Sequence, residues 1–118
     1  MGVRVFVPSS AVGDGAGPVV VAAVEDLDLA VEAAARAELV TLLERFPGET
    51  VVIDCSDVFV ALRGLRLLAE VGEMARIGGG SASVVGPLWL RRIVELSGLP
   101  LVLHLSVQDA LAAALALD

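Results

Sequence analysis

The segment VVVAAV (19–24) is apolar at every position and rich in β-branched Val. A strand with one wet face alternates apolar and polar residues, so an unbroken apolar run is what a strand covered on both faces requires. VVIDC (51–55) reads as another buried strand, and SASVVG (81–86) and LVLHL (101–105) supply two more. VRVFV (3–7) alternates and reads as a first strand at an edge of the sheet. Strands buried on both faces need helices to bury them, and helical patterns occupy the intervals.

Asp28 precedes the first of these and is a natural N-cap for a helix over about 29–46. Leu29, Leu39, Val40, Leu42, Leu43 and Phe46 form its apolar face, Glu32 and Arg36 pair four apart on the wet side, and FPGE (46–49) stops it. A second helix opens at Gly64, with Leu65, Leu68, Val71, Gly72 and Ala75 inward and Arg66, Glu70 and Glu73 outward, and ends at Gly78 to Gly80. Pro87 fits the first turn of a third helix that carries Trp89, Leu90, Ile93 and Val94 and stops at Gly98. Ser106, with Asp109 three positions on, resembles a capping box opening a final Ala/Leu helix. The order is therefore β β α β α β α β α. Short connections in that order imply an α/β fold: a mostly parallel mixed sheet of about five strands with about four helices. With 118 residues the chain makes one domain, 1–118, in which 1–18 hold the first strand and a Gly/Pro-rich loop. Aromatics are only 3% of a chain that is 57% hydrophobic, so Val, Leu, Ala and Ile must build the core.

Charge narrows the function classes. The net charge is −7, with ten acids and three Arg in residues 1–59 against five of each in 60–118. No basic stripe is present, which argues against a nucleic-acid partner and for a basic or mixed protein partner. All eight basic residues are Arg, and Lys, Asn and Tyr are absent, a bias expected of a GC-rich bacterial genome. One Cys excludes an internal disulfide framework and fits a reducing cytoplasm. MGVRVFV has no cleavable signal pattern, and no uncharged run reaches the roughly 18 residues of a membrane span, so a cytoplasmic protein without direct membrane insertion is expected.

Catalytic and ligand-binding constellations are thin. Cys55, His104 and Asp54 can be drawn as nucleophile, base and orienter, but Asp54 and Cys55 are strand neighbours and face opposite ways. GDGAG (13–17) precedes a strand rather than a helix, and IGGGS (77–81) lacks a following Lys-Ser/Thr, so neither cradles phosphate. No metal site and no cofactor is expected. Among Ser9, Ser10, Ser56 and Ser97, Ser56 sits at a strand end where a turn role is the natural one. Trp89 is expected in helix–sheet packing; exposure would mark a contact surface.

Four stretches carry a resemblance: VEDLDLAVEAAARAEL (24–39), TVVIDCSDVFVALRGLRLLAEV (50–71), SVVGPLWLRRIVELSGL (83–99) and LHLSVQDAL (103–111). In order and spacing, from about residue 19 to 115, they resemble the STAS domain of bacterial anti-sigma factor antagonists. That family usually shows Asp-Ser-Ser/Thr-Gly before its second helix, and the first hydroxyl residue is commonly phosphorylated. Aligning on Gly64 places Ala61 at the Asp, Leu62 at the acceptor and Arg63 beside it. Glu25 stands where the family's turn has Gly. A helix N-terminus welcomes an added anion, and phosphate there can break a docking surface. Leu62 cannot take phosphate, and Arg63 is the opposite of a phosphate mimic. Arg63 is then either a solvated side chain or the partner of an acid: Asp28, Asp57 or one on a bound protein.

The resemblance implies a protein-binding regulatory module. Its contact residues would be Asp28, Asp57, Phe59, Leu62, Arg63, Gly64 and Arg66, its partner an anti-sigma factor or other regulatory protein. Leu62 is its non-phosphorylatable acceptor equivalent. The alternative is a structural STAS-like subunit of a larger complex, of the stressosome type or accessory to a lipid-transport ATPase. A third reading, a small hydrolase or transferase using Cys55, requires a reactive thiol. Strand 3–7 pairs either within the chain or with a second copy, which leaves a homodimer open.

Overall fold

A computed structural model describes residues 4–8 and 17–116. Most of the expected 8–18 loop, with Ser9, Ser10 and most of GDGAG, lies outside the described residues, as does the start of the expected 3–7 strand. The sheet has five strands: β1 (Phe6–Pro8), β2 (Val19–Ala23), β3 (Thr50–Asp54), β4 (Ser81–Val85) and β5 (Leu103–His104). They lie side by side in sequence order. β1 runs antiparallel to β2, Val7 opposite Ala22, so the edge strand pairs within the chain. The pairs β2–β3, β3–β4 and β4–β5 are parallel.

Helices α1 (Glu32–Arg45), α2 (Leu62–Ile77), α3 (Leu88–Ser97) and α4 (Val107–Ala116) follow β2, β3, β4 and β5 in turn. Each β–α–β step moves one strand in the same direction across the sheet. Right-handed crossovers therefore put α1, α2 and α3 on one face. There Ala35, Leu39, Leu65, Leu68, Val71, Leu90 and Val94 bury against Val19, Val21, Val51, Ile53 and Val84. The alternate strand residues Val20, Val52 and Val85 face the other way and are covered by α4 through Ala110, with Val107 and Leu111 beside it. The apolar runs are thus double-faced strands, as the sequence requires.

Four local details differ from the sequence reading. Leu29 lies in a 3-10 turn (Leu29–Val31) ahead of α1 and is 65% exposed. Such a turn winds three residues per turn rather than roughly 3.6, so Leu29 falls out of phase with the face led by Leu39. α2 begins at Leu62 with Ala61 as N-cap, so Gly64 sits inside the first turn. Pro87 is the N-cap of α3 rather than part of its first turn. β5 is shorter than the expected 101–105 and keeps only Leu103 and His104, with Val102 and Leu105 on either side exposed. At α4, Ser106 Oγ accepts from the Asp109 amide at 3.0 Å, the N-cap half of the box.

Candidate functional site

Because β2, β3 and β4 are parallel, the loops leaving them gather at one edge of the sheet. In open α/β sheets this carboxyl edge is where binding sites form. The β2–α1 turn (24–28) and the β3–α2 loop (55–61) are stitched together there. The Leu27 amide donates to the Phe59 carbonyl at 2.8 Å, and the Ala61 amide donates to the Leu27 carbonyl at 2.9 Å. Asp26 Oδ1 accepts from the Phe59 amide at 2.9 Å. Leu27 and Val60 form an isolated parallel bridge, both side chains buried. Asp28 does cap its helix: Oδ1 accepts from the Ala30 amide at 3.0 Å, across the 3-10 turn.

Gly64 is required by this stitching. A Cβ on Gly64 would lie 2.4 Å from the Leu27 carbonyl oxygen and 2.8 Å from Leu27 Cβ. The absent side chain lets the mouth of α2 rest directly on the β2–α1 turn. On the outer side Leu62 is 49% exposed, and Arg63 and Arg66 are exposed. The mouth of α2 is therefore open to solvent, and no side chain caps it.

Arg63 is neither bare nor paired with Asp28 or Asp57. Its Nε donates to Glu32 Oε1 at 2.8 Å. Glu32 also faces Arg36 at 3.8 Å, and Arg36 in turn donates to Glu70 Oε2 at 2.7 Å. Four alternating charges thus zip α1 to α2, beginning at the entrance. Glu32, placed in the sequence as the partner of Arg36 alone, is shared between two arginines. The hydrogen bond from Arg36 holds the Glu70 carboxyl below its ordinary value. A cation at a helix N-terminus costs about 0.3–1 kcal/mol when unpaired. Glu32 relieves that penalty for Arg63, and Arg66 lies beyond the first turn.

Phe59 gains a partner that its position in the sequence conceals. Its ring stacks on Trp89, with centroids 5.7 Å apart and planes 17° from parallel. Phe59 is 56% and Trp89 40% exposed, and Leu88 beside Trp89 is also exposed. Trp89 is thus a surface ring, and the third helix joins the site. Asp57 is exposed in the same loop. Ser56 forms a local turn, its Oγ and amide both donating to Asp54 Oδ1.

Cys55 is fully buried in the helix-covered core, and burial, with Asp54 beside it, pushes its thiol up to about 12. A thiol so placed is poorly ionised at neutral pH and out of reach of substrate. Register puts Asp54 and His104 on the α4 side, opposite Cys55, so the three do not converge. Among the described residues no group of three or more His, Cys, Asp or Glu could hold a metal ion.

No family model and no curated protein matches the sequence. Among solved structures, the chain is similar to the crystal structure of an anti-sigma factor antagonist from Mycobacterium paratuberculosis. The two share 27% identity at a TM-score of 0.75, over 92% of this chain and 93% of that one. The chain has a STAS-type fold. In this STAS-like chain the stitched loops and the mouth of α2 stand where the resemblance set the phosphoacceptor, and the residue there is Leu62. Among the described residues, no helix is long and apolar enough to cross a membrane.

Proposed function

We propose that this protein is a cytoplasmic regulatory module that docks a protein partner through the Asp28 turn and the 57–66 loop and helix entrance. Its role is of the anti-sigma-factor-antagonist type: binding an anti-sigma factor releases a sigma factor to transcription. The observation that carries this reading is the preassembled entrance. Two loops are locked by three backbone-directed hydrogen bonds and the Gly64–Leu27 contact, while Leu62 and Phe59 stay exposed on top. A surface ordered before binding loses little entropy on binding, which favours recognition. The likeness to an anti-sigma factor antagonist supports an anti-sigma factor as the class of partner.

Docking here is independent of phosphate at the family's acceptor position, because Leu62 has no hydroxyl and Arg63 is tied to Glu32. The protein therefore works as a constitutive antagonist. Affinity capture from the source cells tests this, with wild type beside the Leu62→Asp/Arg63→Glu double variant. Wild type is expected to retain an anti-sigma factor or other regulatory protein that the double variant loses. Equal retention by both would discredit the entrance as the docking surface.

A further inference from the structure

The two outer strands of the sheet are finished differently. At β1 the Glu38 carboxylate engages the amides of Val5 and Phe6, and Pro8 ends the strand without an amide proton. Both devices hinder pairing with another chain. β5, the last strand on the other side, has neither. The carbonyls of Val102 and His104 accept from the amides of Val84 and Gly86 at 2.9 and 3.0 Å. Backbone groups alternate along a strand, so the amide and carbonyl of Leu103 point away from β4, into the open edge. Val102 and Leu105 are exposed beside them, and no Asp, Glu, Lys or Arg occurs from Leu96 to Gln108. The net charge of −7 works against a second copy elsewhere on the surface, but not along this edge.

Helix α3 carries the second observation. Leu90 and Val94 bury inward, and Trp89 stacks on Phe59 of the loop leading into α2. At about 3.6 residues per turn, Arg91 and Glu95 then lie on the flank away from α2, towards β5, and Arg92 lies outermost, opposite the buried face. Arg91 and Glu95 pair with each other at 3.8 Å and are both exposed. α3 runs back from the carboxyl edge of the sheet while β5 runs forward. The middle of the helix, near Ile93, therefore stands level with Leu103.

We infer that β5 is a dimerisation edge, and that its occupant is a second copy of this chain, paired antiparallel about a two-fold axis through Leu103. This goes beyond the docking function proposed above and does not rest on it. In that register Leu103 and its copy exchange both backbone hydrogen bonds, and Val102 lies opposite the partner's His104. The axis is perpendicular to the sheet, so α3 lies beside its own copy. A crossover helix lies over the gap between the strands it joins, which sets the two helices about two strand spacings, roughly 10 Å, apart. Helices pack at about that distance. Arg91 and Glu95 are equidistant from Ile93, so each Arg91 meets the partner's Glu95. The flank is complementary to itself only when reversed, and a two-fold copy supplies that reversal. A lone extended peptide would gain few hydrogen bonds from so short a strand and would leave the flank unmatched. Asp109, in the first turn of α4, sits at the carboxyl end of β5, so the axis carries its copy to the far end. Both docking entrances stay free, on the α2 side of each subunit.

Sedimentation of the full chain over a range of concentrations is expected to show a reversible monomer–dimer equilibrium. Val102→Lys places a cation on the edge and is expected to weaken association about tenfold or more. Arg91→Glu and Glu95→Arg should each weaken it about threefold to tenfold. An equimolar mixture of these two variants should associate more tightly than either alone, because each flank then carries a single sign and the two signs are opposite. Glu44→Gln, on α1, should change nothing. Hydrogen exchange at the Leu103 amide should slow as dimer forms. Far-UV circular dichroism checks that each variant is folded.

A chain that stays monomeric up to about 1 mM overturns the inference. So does a dimer that Val102→Lys leaves intact, which would form through another face, or a mixture no tighter than its components. A monomer whose Leu103 amide is protected only in complex with a captured protein would make the edge a site for a foreign strand, and the second copy would fall as its occupant.

Discussion

Replacing Gly64 with Ala asks whether the close approach of α2 to the β2–α1 turn holds the site together. In an ordinary helix this change stabilises by about 1 kcal/mol, because Gly is a poor helix former. At Gly64 the new methyl would sit 2.4 Å from a backbone oxygen and 2.8 Å from Leu27 Cβ, and neither belongs to a flexible side-chain end. Either α2 lifts or the turn moves, straining the Ala61-to-Leu27 hydrogen bond, and overpacking of this kind costs about 1–3 kcal/mol. Gly72 in the same helix supplies the control. A Cβ there finds its nearest neighbour, the Ala82 carbonyl oxygen, at 4.0 Å. Gly72→Ala should therefore stabilise by about 1 kcal/mol. The propensity gain is common to both variants and cancels between them. Their difference in unfolding free energy reads the clash alone, about 1–3 kcal/mol. Urea unfolding followed by circular dichroism measures both. Gly64→Ala equal to or more stable than Gly72→Ala would refute the close-packed entrance.

Cys55 should resist alkylation at pH 8 in the native protein and react once urea unfolds it; fast native labelling would contradict its burial. Arg36→Gln should lower stability at neutral pH. The Glu70 carboxyl is depressed in the folded state, so its pairing stabilises above the ordinary Glu range and is lost as pH falls through the folded value. The wild-type advantage over Arg36→Gln should therefore fade in acid unfolding series, and an advantage independent of pH would contradict the pairing. The Glu38 carboxylate accepts from the amides of Val5 and Phe6 at 2.8 and 3.0 Å and so holds the start of β1. Glu38→Ala should cost about 1.5–3 kcal/mol and speed hydrogen exchange at those two amides, and unchanged exchange would contradict that role.

The double-faced strands were legible because burial on both sides leaves an unbroken apolar run, as in VVVAAV and VVIDC. The helices were legible in their 3.6-residue patterns, except where the 3-10 turn rotated Leu29 outward. The mouth of α2 was legible from Gly64, which the sequence set at the opening of that helix and which the structure places inside its first turn. Its pairing was not. Arg63 and Glu32 lie 31 positions apart and meet only because successive crossovers lay α1 beside α2. The Phe59–Trp89 stack was hidden for the same reason, since it spans two crossovers. Burial of Trp89 was the default for the only Trp in an aromatic-poor chain. What the sequence did carry was Asp28, a cap whose acceptor role needs only its own next two residues.

The constitutive docking proposed for the entrance is tested most directly on the isolated complex. The dissociation constant for the captured partner is measured before and after incubation with ATP and Mg2+, with intact-mass analysis of this chain. The expected result is an unchanged dissociation constant and no phosphate on residues 54–66. ATP-dependent release accompanied by phosphate on this chain at the entrance, Ser56 included, would contradict it.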